Sequence, residues 1–425
     1  MSREPHPEVP VPRLFPRPRL RSTAAVFTTM SALAATSLIT GPSAAEPFSA
    51  AACALTRTEA HHSEGVDTWN TAYPRPTRTL DAVMVFLSFP DATPRTTPDQ
   101  LAADHFPATS RYFEQASYGR FTLRPHPLRN WIRMPRPSTS YVIERDWNES
   151  HRADYLRDAL AAADGQVDFS RYDVVYFVAD PDAPGVDSDA TKVVNLDTPL
   201  RADGTDIRRV VTVFEQHPPD RLVLAHETGH VFDLPDLYHR PVDGKGDWDT
   251  YVGDWDLMGS QFGLAPDLFG WHKWKLGWLE SRQVACVGKP TRLTLEPLGA
   301  GPGAPVVGRS AFGLGRGTKL AVVRTGPETA LAFEARGPAG NDAGTCKEGV
   351  LVYRVRAGAA SGGGPIQVID AHPHTEACWE ASVYPPLADA PVALGESFTV
   401  PGDGVRVKVE GRTVSGAWTV KITPG

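Results

Sequence analysis

The chain has 425 residues, is 41% hydrophobic and carries a formal net charge of −7. That length and apolar content suffice for a large core and for two domains. The acidic balance, with no basic run beyond the N-terminal residues, argues against nucleic acid as a partner.

Residues 1–45 have the pattern of an export signal. Arg13, Arg17, Arg19 and Arg21 precede the mildly apolar run Ser22–Thr40, and Ser43-Ala44-Ala45 offers small residues at a cleavage point. The run is rich in Thr, Ser and Ala, a poor membrane span, so a secreted protein without stable membrane insertion is expected. Losing the five Arg and two Glu of this stretch would leave a mature charge near −10. The four cysteines suit an exported protein with two disulfides. Among the pairings, Cys346–Cys378 would staple one region and ranks first, with Cys53–Cys286 second. Cys53 has two rival roles, a lipid-anchored residue after Ala50-Ala51-Ala52 or a thiolate that blocks a metal before activation.

Residues 46–76 are small and polar and read as a linker or short pro-segment. Leu80–Phe89 is a buried-strand signal stopped by Pro90. Thr97–Gly119 carries one helical pattern, and Arg120–Leu123 and Trp131–Met134 read as short strands. Asn148 can cap a helix running to about Ala163, with Tyr155, Leu156, Leu160 and Ala163 inward. Tyr172–Ala179 and Arg208–Phe214 are further strands, and Asp220 is placed to cap the next helix. Strands alternating with helices indicate an α/β domain over residues 77–282.

Beyond Leu279 glycine and proline become frequent and short β-like runs dominate. They are Thr291–Leu295, Lys319–Arg324, Ala330–Ala335, Val350–Val355, Ser397–Val400, Val405–Val409 and Trp418–Ile422. This rhythm predicts a β-sandwich-like C-terminal domain over 283–425, so the fold class is α+β. Nothing in the sequence sets an oligomeric state.

The chemistry concentrates in Leu222–Tyr238. His226, Glu227 and His230 form H-E-x-x-H inside an apolar run, and positions i and i+4 share one helix face. Two such imidazoles can bind one metal, with the intervening Glu within reach of its water. A catalytic zinc wants a third protein ligand. No Glu occurs between His230 and Glu280, whereas Asp236 follows Pro235, which stops the helix and turns the chain back. Asp236 is therefore the expected third ligand, with His239 the alternative.

His226-Glu227-x-x-His230, Leu234-Pro235-Asp236-x-Tyr238 and Trp255-Asp256-Leu257-Met258-Gly259 resemble the immune inhibitor A-like family of secreted zinc metallopeptidases. Further matching stretches are Val83–Pro90, Tyr112–Phe121, Val167–Val178 and Trp271–Leu279, so the resemblance covers about residues 80 to 280 and, more loosely, reaches 355. It implies a metzincin-like catalytic domain with Met258 in the turn beneath the zinc. Its pattern departs at Asp233, where the family has a glycine in a left-handed turn.

With one zinc ion on His226, His230 and Asp236, Glu227 is the expected general base for hydrolysis of peptide bonds in protein or peptide substrates. The loop Asp243–Asp256 holds five aspartates and is a candidate for a calcium ion. Trp248, Tyr251, Phe262, Phe269, Trp271, Trp274 and Trp278 read mostly as core. Two other functions compete: a secreted adhesion or carbohydrate-binding protein with a vestigial metal site, and a zinc hydrolase acting on a small amide or glycopeptide.

Overall fold

β1 (Thr79–Ser88) is the apolar run that starts the first sheet, with Ala82 through Ser88 all buried. The computed structural model describes residues 52–58, 64–241, 245–301 and 317–425. The expected export signal and Asp243 of the acidic loop lie outside them. β1 pairs in parallel with β2 (Thr122–Pro127), β3 (Ile132–Arg133) and β4 (Val174–Ala179). β4 pairs in parallel with β6 (Thr205–Val213), and β5 (Lys192–Ala202) runs antiparallel to β6 at the sheet edge. Strand periodicity sends Ala82, Met84 and Phe86 into one core cluster and Val83, Val85 and Leu87 into another. Such a sheet needs cover on both faces. α3 (Glu149–Ala163) supplies it on one side through Tyr155, Leu156 and Leu160, and its start is capped by Asn148 accepting from Ser150 N–H.

The single helical pattern expected over Thr97–Gly119 is two helices, α1 (Pro98–His105) and α2 (Ala108–Ala116). Pro107 has no N–H to donate and disfavours helical geometry at Phe106, which is extended at φ −119° and ψ 141°. β5 carries no strand signal in its sequence. Its sequence KVVNLDTPLRA carries Asn195, Asp197 and Pro199, and its register shifts between Asn195 and Leu200. An edge strand tolerates these residues.

The remaining elements of the first half are α4 (Val223–Val231) and α5 (Gly270–Lys275). The later chain forms two sheets. One has the order β12 (Ile366–Val368), β11 (Gly349–Arg356), β10 (Thr329–Arg336), β9 (Leu320–Arg324), β7 (Val284–Cys286). The other has the order β13 (Ser397–Thr399), β14 (Arg406–Arg412), β15 (Trp418–Thr423), β8 (Thr291–Leu295). Leu331 and Phe333 of β10 share a core with Val407, Val420 and Ile422 of the second sheet. Ala330, Ala332 and, on β11, Leu351 and Tyr353 join Leu268, Trp271 and the apolar side of α4 in the largest cluster. The core therefore runs across the 282/283 boundary, and the described residues all belong to one compact unit, Ala45–Gly425. The architecture is α+β.

The described part of residues 46–76, read as a linker or pro-segment, is packed into this core. Leu55, Val66 and Asp67 are buried, Trp271 Nε1 donates to Val66 O at 2.6 Å, and Trp278 Nε1 donates to Pro76 O at 2.7 Å. Disulfides join Cys53 to Cys286 and Cys346 to Cys378. Cys53 is thereby occupied, and neither a lipid anchor nor a metal-blocking thiolate describes it here. Among the described residues no helix is long and apolar enough to cross a membrane.

Candidate metal centre

Every residue of α4 is buried. The expected cap, Asp220, does not cap it: Leu222 occupies that position in a left-handed conformation, φ 59°, with no side-chain cap. A helix buried on all sides that carries two His and a Glu must satisfy them from within the protein. His226 Nδ1 lies 2.9 Å from Leu257 O, and His230 Nδ1 lies 2.7 Å from Leu234 O. A carbonyl only accepts, so both Nδ1 atoms carry the proton and both Nε2 atoms point onward.

They point at Asp236. Its Oδ1 lies 3.3 Å from His226 Nε2 and 3.1 Å from His230 Nε2. His226, His230 and Asp236 form a three-residue group of the kind that holds a metal ion. Zinc bonds of about 2.0–2.1 Å in a tetrahedron set ligand atoms about 3.3 Å apart, so the donor set and its spacing fit that ion. Lone pairs facing one another across these two contacts require a shared cation or extra protons on the imidazoles. Burial alone would lower the His230 pKa, but the Asp236 carboxylate offsets this and raises it to about 10. Burial raises the Asp236 pKa less than the two imidazoles depress it, so its carboxyl stays ionised.

The turn that brings Asp236 back is left-handed at Asp233. Asp233 adopts φ 64°, the left-handed conformation expected of the missing glycine. Its side chain is also used: Oδ2 lies 2.8 Å from Lys275 Nζ and accepts from Asn70 N–H at 3.2 Å. Lys275 Nζ donates to Asp233 O at 2.7 Å and to Gly65 O as well. The ion pair is fully buried and ties the helix end to α5 and to the N-terminal segment. Asp236 is steadied from the β-rich half, where Ser361 Oγ accepts from Asp236 N–H at 2.9 Å and donates to Oδ2 at 3.2 Å. Met258 is buried against α4, and a Cβ at Gly229 would collide with its sulfur.

Glu227 Oε2 accepts from Val193 N–H of β5 at 2.7 Å. Burial raises its pKa against the lowering influence of the two imidazoles. Tyr238 lies almost parallel to the His226 ring at 6.4 Å, and burial beside the Asp236 carboxylate pushes its pKa up. His239 packs on the Tyr251 ring at 4.9 Å and is not part of the three-residue group. Glu227 opens onto two adjoining clefts of about 610 and about 430 Å³.

No protein-family model matches the chain. No curated protein matches it either. The functional reading therefore rests on the geometry.

The calcium candidate looks different in space. Asp254 Oδ1 accepts from Leu264 N–H and Val383 N–H, and Asp256 accepts from Met258 N–H and Phe269 N–H. These two carboxylates are spent on backbone amides, while Asp249 lines the larger cleft. Phe269, Trp271, Trp274 and Trp278 are core as expected, but Trp248 lines both clefts and Phe262 is exposed at the rim of the larger. Sequence reasoning missed Val193, Ser361 and the charged lining residues Glu64, Arg145, Lys192 and Arg240. All lie far from the motif in sequence or in stretches without a periodic signal.

Proposed function

We propose that the protein is a secreted zinc-dependent endopeptidase, with His226, His230 and Asp236 as metal ligands and Glu227 as general base. The observation that carries this reading is the convergence of two Nε2 atoms on Asp236 Oδ1 at 3.3 and 3.1 Å, set beside a buried carboxylate on an open cleft. When bound, zinc acidifies a coordinated water toward neutral pH and polarises the scissile carbonyl. With Oε2 held by Val193 N–H, Glu227 Oε1 is the atom left to take the proton of the attacking water and return it to the leaving amine. Leu257 O and Leu234 O hold both imidazoles in the tautomer that presents Nε2. β5 is the edge strand beside Glu227, and an extended peptide can add to such an edge through backbone hydrogen bonds.

The resemblance to the immune inhibitor A-like family agrees with this reading. So does a metzincin-like description of the first half and a sandwich-like description of the later sheets. The two disulfides suit an oxidising compartment.

The test is metal content and casein hydrolysis by the chain from residue 46 onward, beside Glu227→Ala. About one zinc per chain in both, with cleavage only by the wild type, is the expected result. Absence of zinc from both would overturn the catalytic reading and leave an adhesion or carbohydrate-binding role standing. Zinc in both without casein cleavage would shift the substrate to a small amide or glycopeptide.

A further inference from the structure

The two clefts that meet at Glu227 differ in how many cations line them, one in the larger and three in the smaller. The larger carries the carboxylates of Asp189, Glu215, Asp220 and Asp249 against one cation, Arg145. The smaller carries Arg145, Lys192 and Arg240, with Glu64 and Asp189 the carboxylates outside the centre itself. Glu64 is bonded to Asn195 Nδ2.

The cations come from three separate segments and are held in place. Arg145 stacks its guanidinium 4.6 Å from the Trp248 ring. Trp248 packs on Tyr238 at 5.3 Å, and Tyr238 lies over His226. The guanidinium is thus fixed two ring layers from a metal ligand. Lys192 opens β5, one residue before the Val193 N–H that holds Glu227, and its ammonium donates to Arg145 O. Arg240 pairs at 2.7 Å with Asp146, a side chain that is 79% exposed. Burial, and then the charge of Arg152, lower the pKa of Lys192, while Asp146 and Glu227 act in the opposite direction. Positive groups gathered in a half-buried cleft favour an anion that enters it.

We propose that Arg145, Lys192 and Arg240 form a subsite for a carboxylate of the peptide substrate, placed on one side of the scissile bond only. The inference rests on the peptidase reading and adds the substrate class to it. The carboxylate has two sources, an Asp or Glu side chain or the free C-terminus. In the larger cleft Glu215, Asp220 and Asp249 disfavour the same group, so the preference depends on position.

The experiment uses zinc-loaded Glu227→Gln and fluorescent peptides identical except for Glu, Gln or Lys at each position in turn. Each peptide is made with a free and an amidated C-terminus. A carboxylate at one position should tighten binding roughly tenfold over its Gln counterpart and weaken it at positions across the centre. Tightening that survives amidation assigns a side chain, and tightening lost on amidation assigns the terminus. Adding Arg145→Ala and Lys192→Ala should reduce the ratio to roughly twofold or less, and Lys192→Glu should turn the preference toward Lys peptides. Zinc content is measured on every variant, to separate loss of the subsite from damage to the centre. Equal binding of Glu and Gln peptides, no binding of any peptide, or a preference that survives both alanine changes would overturn the inference. If the wild type cleaves none of the peptides, the peptidase reading fails, and the binding ratio still decides the subsite.

Discussion

Two of the buried clusters of ionisable groups among the described residues, around Arg336 and around Asp236, differ in their balance. Around Arg336 the guanidinium reaches Asp342 at 2.7 and 2.9 Å, Glu334 at 3.0 Å, and the carbonyls of Trp255, Ala265 and Asp267. Glu334 Oε2 also accepts from Tyr353 OH and Gly270 N–H, both at 2.7 Å. Each group there meets a partner of the opposite character. At His226, His230 and Asp236 two Nε2 atoms instead converge on one Oδ1, at 3.3 and 3.1 Å. The first arrangement locks the segment 255–267, which carries Met258, onto β10. The second has the donor set that could hold a cation. Burial is common to both, so burial alone marks neither; the complementarity of the partners separates scaffold from site.

The strongest way to break this contrast is to remove the centre of the saturated cluster. Arg336→Met leaves Glu334 and Asp342 buried without their cation and should cost about 3–5 kcal/mol of stability by urea denaturation. A loss below about 1 kcal/mol would show that the cluster tolerates an orphaned charge and would erase the distinction.

At the converging cluster, Asp236→Ala should weaken zinc binding by at least about 100-fold, while His239→Ala should change it by no more than about threefold. Competition against a chelator of known affinity measures both. An effect from His239 equal to that of Asp236 would mean that the ligand set is wrong.

A smaller effect sharpens what burial does by itself. His105 at the end of α1 is buried, and burial lowers its pKa to about 4 against the charge of Asp104. His230, equally buried, is instead raised to about 10 by Asp236. Because the folded pKa of His105 is depressed, the unfolded chain takes up a proton that the folded chain refuses as pH falls from about 6.5 to about 4. Stability should drop by about 2 kcal/mol between about pH 7 and about pH 5 on this account. Denaturation curves at both pH values should show His105→Gln losing that part of the drop.

The ligand helix was readable because spacing carries it: residues four apart share a face, and Pro235 forces the return that brings Asp236 round. The buried strands β1 and β4 were readable from continuous apolar runs. β5 was not, since an edge strand keeps the polar residues and proline that a central strand would reject. Nor did the small, polar residues 52–76 signal burial, because Leu55 and Val66 are spaced singly and Cys53 is anchored by a partner 233 positions away. Ser361 and Arg145 reach the centre through tertiary contacts, and no local pattern encodes those. At Asp233 the backbone requirement was legible and the side-chain partner was not, since Lys275 lies 42 residues downstream.

That last pair has a consequence for how the sequence can drift. Glycine at 233 would satisfy the left-handed turn and leave the Lys275 ammonium sealed in the core without its carboxylate. A neutral residue at 275 would strand the Asp233 carboxylate in the same way. Each single step passes through an intermediate that has lost its counter-ion, so the two positions behave as one inherited character. Descendants of this chain should carry both charges or neither.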